Sequence, residues 1–387
     1  MLKSLNSMDF TVAVASNSMT IEQDMTFIKA ALLYSDTITL VSPVASTYIE
    51  LTDNANKKNE KALYNLMQKV IPFCQKADPI FCENINQTLD QFSSILYSKQ
   101  YRSIPLPLKY NIKKALLEFS TGIESVLIQN LGEENCNSLK KLVESKKVRL
   151  YDFKSSFAND DDYVYEFYNI LKKSVSNSST FPLFDDLSNN LIKSAIEEKI
   201  ITLNKSSEFE AKHAKLAGNL LIALPSFEFA TTDEILDIRK ELEKPLVRFR
   251  SKLLAYDAEI QSMPWDEEFQ FECIKLYQQE VAPAVLEIDE LTKESSFIKN
   301  LGYSFLTDKS ALEKTGKIFI TVAMAGIISA FTDVLSRGQT LAAAGGAYTI
   351  SKVATAYKEY EKNQHDIMKK DMYFYYRAGK LLEKRTK

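Results

Sequence analysis

The chain is poor in the residues that punctuate or staple a fold. Ten glycines and ten prolines in 387 residues are few, which disfavours a turn-rich all-β fold and favours long helices. The four cysteines, Cys74, Cys82, Cys136 and Cys273, have no CxxC spacing and no neighbouring histidines, so a zinc site is not expected and a reduced setting is. The two histidines, His213 and His365, lie far apart in polar helical surroundings, and no local signature of a serine triad or a Cys-His pair accompanies them. A net charge of −3 argues against dedicated nucleic-acid binding. Met1 to Phe10 has one lysine and no apolar run, so it does not read as a signal peptide, and the expected location is the cytoplasm. No glycine fingerprint follows the first strand, where Ala15-Ser16-Asn17-Ser18 stands, so a phosphate-cradling loop and a bound cofactor have nothing to support them.

What the chain has is core material. Apolar residues make up 45% and charged residues 26%, with 22 Phe and 19 Tyr, enough for a large core without disulfides or metal. Phe10 to Ala15 reads as a buried strand, a helix follows to about Tyr34, and Thr37 to Val41 reads as a second strand, a parallel βαβ unit. Residues 46–100 read as helical with a polar break at 53–58. Ser103 to Pro107 reads as extended, the next helix ends at Gly132, and Lys147 to Phe153 alternates like a third strand. Ser174 to Thr180 is the most linker-like run; helices are expected at 185–199 and 206–223, with a strand at Ile200 to Leu203 between them.

The best-defined stretch is Thr231 to Leu291. Thr231 and Glu234 have capping-box spacing, and Ile235, Ile238, Leu242, Leu246, Phe249, Leu253, Tyr256 and Ile260 recur in helical steps. Pro264 suits a first helical position, followed by Asp266, Glu267 and Glu268, and a second face runs through Phe271, Ile274, Val281, Val285, Ile288 and Leu291. The expectation is a long antiparallel helical hairpin bent at Pro245 and Pro283.

Three features invite a chemical reading. Asp160, Asp161 and Asp162 could take a cation, but acids at a helix start complement its dipole without one. Arg239, Arg248 and Arg250 could grip a phosphate or an acidic partner, against the plainer reading that they pair with acids nearby. Ile318 to Phe331 is 14 residues without a charge, and Leu341 to Ile350 is small and apolar. Fourteen helical residues reach about 21 Å where a bilayer core needs roughly 30 Å, so a buried pair is favoured over membrane insertion.

Three pieces resemble a large, uncharacterised family of bacterial cytosolic proteins: Ala30 to Ile38; Glu234 to Arg239 leading to Arg248-Phe249-Arg250; and the apolar glycine-containing segment before Tyr373-Phe374-Tyr375-Tyr376. The resemblance implies one architecture over the whole chain, of unknown or defence-linked role, and no known activity. The expected fold is a predominantly helical α+β protein, with a mixed α/β domain over 1–173 and a helical domain over 181–387. The expected function is a non-catalytic intracellular interaction or sensing protein, in a bacterial anti-phage setting, with a protein partner or a second copy of itself. The alternatives are a membrane-perturbing effector acting through 318–350 and a metal-dependent enzyme.

Overall fold

The computed structural model describes residues 8–15, 21–54, 58–75, 79–154, 160–176, 180–292 and 366–385. The protein is predominantly helical with one small parallel sheet, and divides into two compact units, Met1–Gly218 with Ile260–Gln270, and Asn219–Glu259 with Phe271–Lys387.

In the first unit β1 (Asp9–Ala13), α1 (Glu22–Tyr34) and β2 (Thr37–Val41) form the expected parallel βαβ unit, in register Phe10 to Ile38 and Val12 to Leu40. Further strands β3 (Val148–Leu150) and β4 (Phe181–Phe184) complete four, in the order β3-β2-β1-β4, every neighbouring pair parallel. A parallel sheet is covered on both faces, so its strands must be apolar on both. On one face Phe10 meets Tyr34 of α1 with ring centroids 5.8 Å apart, and stacks on Phe181 at 5.7 Å. There α9 (Lys205–Ile222) comes so close that a Cβ built on Gly218 would lie 2.8 Å from a methyl of Leu183. On the other face Ala13, Val41 and Phe184 join Phe167 and Leu171 of α7 (Asp160–Ser176) and Ile192 of α8 (Asp186–Glu197) in one buried cluster.

Between β2 and β3 the chain builds a helical insertion: α2 (Pro43–Asn54), α3 (Glu60–Gln75), α4 (Pro79–Leu96), α5 (Leu106–Leu131) and α6 (Glu133–Glu144). The inner stripe of α5, Ile112, Leu116, Ser120, Ile123, Leu127 and Leu131, keeps to steps of three and four, and α3 packs against both α4 and α5. Gly132 ends α5 as expected, at φ +86°, a backbone conformation that other residues rarely take.

Some details differ from expectation. Ser103 to Pro107 is extended only at Ile104 and Pro105, since Ser103 ends a 3-10 turn and α5 begins at Leu106. Phe181–Phe184 is a strand that the sequence reading does not contain; Pro182 within it reads as a breaker, but β4 is the edge of the sheet, where proline is tolerated. Ile200 to Leu203 is irregular chain, not a strand; Ile201 is buried beside Ile192 and Ala195, so its apolar character serves packing, not strand pairing.

In the second unit the capping box is present: Glu234 N–H donates to Thr231 Oγ1 at 3.2 Å, and Thr231 N–H donates to Glu234 Oε2 at 2.9 Å. The helix it opens, α10 (Thr232–Glu241), breaks at Leu242, and α11 (Glu243–Asp257) starts with Pro245 in its first turn. The missing proline N–H is thus absorbed by an interruption. After α12 (Glu267–Leu276), a π-helical turn at Tyr277–Val281 precedes α13 (Ala282–Thr292), which carries Pro283. Pro264, which with the start of α12 belongs to the first unit, lies in the turn before that helix and does not open it; Asp266 accepts the Met263 N–H there at 2.8 Å. The last helix, α14 (Tyr373–Arg385), packs against α10, α11 and α13. The apolar pair 318–350 and His365 lie outside the described residues.

Candidate functional site

In a parallel sheet ligands favour the carboxyl ends of the strands, where the strand order reverses. Here that point lies between β1 and β4, which are neighbours in space but not in sequence. Asp185 follows β4 directly. Its Oδ2 accepts the Ala15 N–H at 3.0 Å and its Oδ1 the Ser188 N–H at 2.9 Å, so one side chain ties down the end of β1 and caps α8. Burial raises its pKa, opposed by those hydrogen bonds and by the charge of Lys215. Lys215, on α9, donates to the Phe184 carbonyl at 3.3 Å, pairs with Asp186 at 3.6 Å, and lies over the Phe27 ring.

Asp24, in the first turn of α1, is the unusual member. It is 1% exposed, and neither carboxylate oxygen has a hydrogen bond of full geometry, the Ser42 hydroxyl being the group that comes nearest to giving one. Burial pushes its pKa up to about 7; the Ser42 hydroxyl, just past β2, offsets part of this, and the Asp185 charge adds to it. The edge therefore carries two carboxyls, a hydroxyl and an ammonium, and of these Asp185 and Lys215 are engaged by strand ends. Nothing in the sequence marks Asp24, because an acid in a first helical turn reads as a solvated, dipole-matched residue.

Among the sequence candidates, α7 begins at Asp160 and Asp162 is exposed, while the side chains of Asp160 and Asp161 lie outside the described residues. Among the described residues no group of three or more His, Cys, Asp or Glu is placed to hold a metal ion. His213 is fully buried, its Nε2 2.7 Å from the Tyr34 hydroxyl and its ring packed among Tyr34, Phe181 and Phe209. It stands two residues before Lys215, a His-x-Lys spacing, but it packs among these rings while Lys215 reaches the end of β4. The Cys136 thiol is buried and its pKa pushed up to about 11, which leaves it unreactive at neutral pH.

The arginines are drawn into the second unit. Arg248 donates to the Lys369 carbonyl at 2.6 Å, ahead of α14. Arg250 is buried, and Arg239 is half-buried on α10. Between them Phe249 is fully buried and stacks on Phe374 and Tyr375 of α14 at 5.1 and 5.9 Å.

A different surface stands out where α4 passes into α5. From Gln91 to Leu117 the chain has Lys99, Arg102, Lys109, Lys113 and Lys114, and no Asp or Glu. Large apolar side chains are exposed in the same stretch: Leu106 at 80%, Tyr110 at 68%, Tyr97 at 53% and Leu108 at 50%. Lys61 and Lys109 lie over the Tyr101 ring at 5.4 and 5.2 Å, and Lys61 over Tyr97 at 5.0 Å. The first turn of α5 has no acid and no side-chain cap, so its dipole adds to the positive field. Glu60, from α3, meets Tyr101, and Lys114 pairs with Glu118 across 3.8 Å. In the sequence, Ser103 to Pro107 reads only as an extended connection. The missing signal was the absence of acids around it.

Comparison of the chain with family models, curated proteins and solved structures finds no match. Among the described residues no helix is long and apolar enough to cross a membrane.

Proposed function

We propose that this chain is a non-catalytic interaction or sensing protein whose contact surface is the basic, aromatic tip of the helical insertion. The observation that carries the reading is the coincidence of exposed Tyr97, Leu106, Leu108 and Tyr110 with 27 residues free of acid, Gln91 to Leu117. Single exposed apolar residues need no explanation; a cluster of them among cations of one sign does. The partner is an acidic macromolecular surface, and the setting is the cytoplasm, as a component of a bacterial defence system.

The finer architecture of the second unit belongs to the same proposal. α10–α11 and α12–α13 are the arms of a long antiparallel hairpin, and α14 lies along both; the packing of α14 on α10, α11 and α13 supports this. The contact surface is tested by placing a photo-crosslinking residue at Tyr110 and, as a control, at exposed Val164. A macromolecular adduct in cells from Tyr110 alone is expected. Equal labelling from both positions, or a purified chain that turns over a substrate and crosslinks to nothing, overturns the reading.

A further inference from the structure

The stretch from Asp257 to Leu291 is rich in acids; of these Asp257 and Asp289 are buried and Glu287 pairs with Lys370, and the base Lys275 is exposed on α12. Within that stretch α12 presents Glu267 and Glu268 to solvent, and Phe271, one helical turn on, is 61% exposed. This helix face pairs acids with an uncovered aromatic ring, as the tip pairs cations with uncovered leucines and tyrosines. We propose that the tip at Arg102 to Tyr110 docks on the outer face of α12 of a second copy of this chain.

The inference rests on the tip being a contact surface, and it names the occupant. Charge complementarity of this kind steers encounter and sets register, and apolar anchors then slow dissociation. Leu106, Leu108 and Tyr110 are the anchors on one side and Phe271 is the anchor on the other. The two patches differ, so the contact is heterologous: each copy offers one donor and one acceptor, and association grows with concentration unless the rotation closes a ring. Exposed charges are screened by salt, so the assembly dissolves as ionic strength rises.

The test uses the full chain, with mass from light scattering over a range of concentration at low and high salt. The wild type is expected above its 44.0 kDa monomer mass at low salt, falling toward it at high salt. Arg102→Glu with Lys109→Glu is expected to weaken association about tenfold or more, as is Glu267→Lys with Glu268→Lys. An equimolar mixture of the two charge-reversed chains is expected to regain association, because each reversed patch then finds its opposite. Circular dichroism and melting confirm that each variant is folded. A wild type at monomer mass under all conditions, a tip variant that associates like the wild type, or a mixture that stays monomeric overturns the proposal. A monomeric wild type whose Tyr110 position still crosslinks to another protein, or binds vesicles of anionic lipid, overturns self-docking and leaves the contact surface standing. Assembly that survives tip reversal, with no adduct at Tyr110, removes both.

Discussion

Two regions of this molecule are built from the same residue types and use them oppositely. Around α14, aromatic rings and cations are paired off. Phe249 stacks on Phe374 and Tyr375, the Tyr375 hydroxyl donates to the Leu220 carbonyl at 3.0 Å, and Tyr376 donates to Asp289 at 3.3 Å. Lys370 pairs with Glu287, Arg377 with Glu241, Lys380 with Asp289 and Arg385 with Asp237. At the tip of α4–α5, tyrosines and lysines are equally dense, but they pair with one another and the leucines between them face water. The difference is how the acids are placed. Around α14 the cations named each meet an acid from another element; at the tip Glu60 meets the Tyr101 hydroxyl and Glu118 meets Lys114 within its own helix, and the apolar side chains stay at the surface.

The largest expected effect attacks the closed side. Phe249→Ala removes a fully buried ring from between α11 and α14 and should destabilise the second unit by about 3–5 kcal/mol, read from denaturant unfolding. A loss below about 1 kcal/mol would show that this core relaxes around the gap and that the contrast with the tip is one of degree.

Asp24 sharpens the comparison by being buried without a well-formed hydrogen bond. Its pKa in the fold is about 7 against 3.8 for the free group, so between those values the folded state holds a proton that the unfolded state has released. Stability on this account is greatest below about pH 4, falls as pH rises through the window, and levels off above about pH 7. Asp24→Asn should abolish that fall and leave the variant more stable at pH 8, by up to about 4 kcal/mol. Melting temperatures of both chains from pH 5 to pH 8 decide it; parallel curves would mean that the carboxyl finds a partner in solution.

How much of this was legible in the sequence varies by element. β1, α1 and β2 declared themselves through Phe10 to Ala15 and Thr37 to Val41, because a buried parallel strand leaves an unbroken apolar run. The Thr231 capping box was legible because both partners lie within one turn. β4 was not, since four residues containing Pro182 satisfy no strand pattern until their place at the sheet edge is known. The role of Arg248 was not either, for what meets it is a carbonyl 121 residues away. Asp24 was hidden for the same reason: its burial is a tertiary fact imposed on a locally ordinary helix start.

A smaller effect is expected at that same carbonyl. Arg248 is exposed, so its hydrogen bond to Lys369 competes with water, and Arg248→Ala should cost only about 1 kcal/mol. The useful readout is local: amide exchange in α14 should quicken while exchange in β1 and β2 stays as it was. Uniform quickening would mean that the approach of α14 is not held at this point.

The smallest expected effect on stability falls at the tip, and its smallness is informative. Leu106 is 80% exposed and Leu108 50%, so Leu106→Ser removes little packing and should move the unfolding free energy by no more than about 0.5 kcal/mol. A leucine so exposed, among five bases, is open to a partner. The same substitution should therefore lower association of the full chain severalfold while its melting curve is unchanged. Should the melting temperature drop instead, Leu106 is packed within its own chain, and the tip belongs with α14 among the closed surfaces.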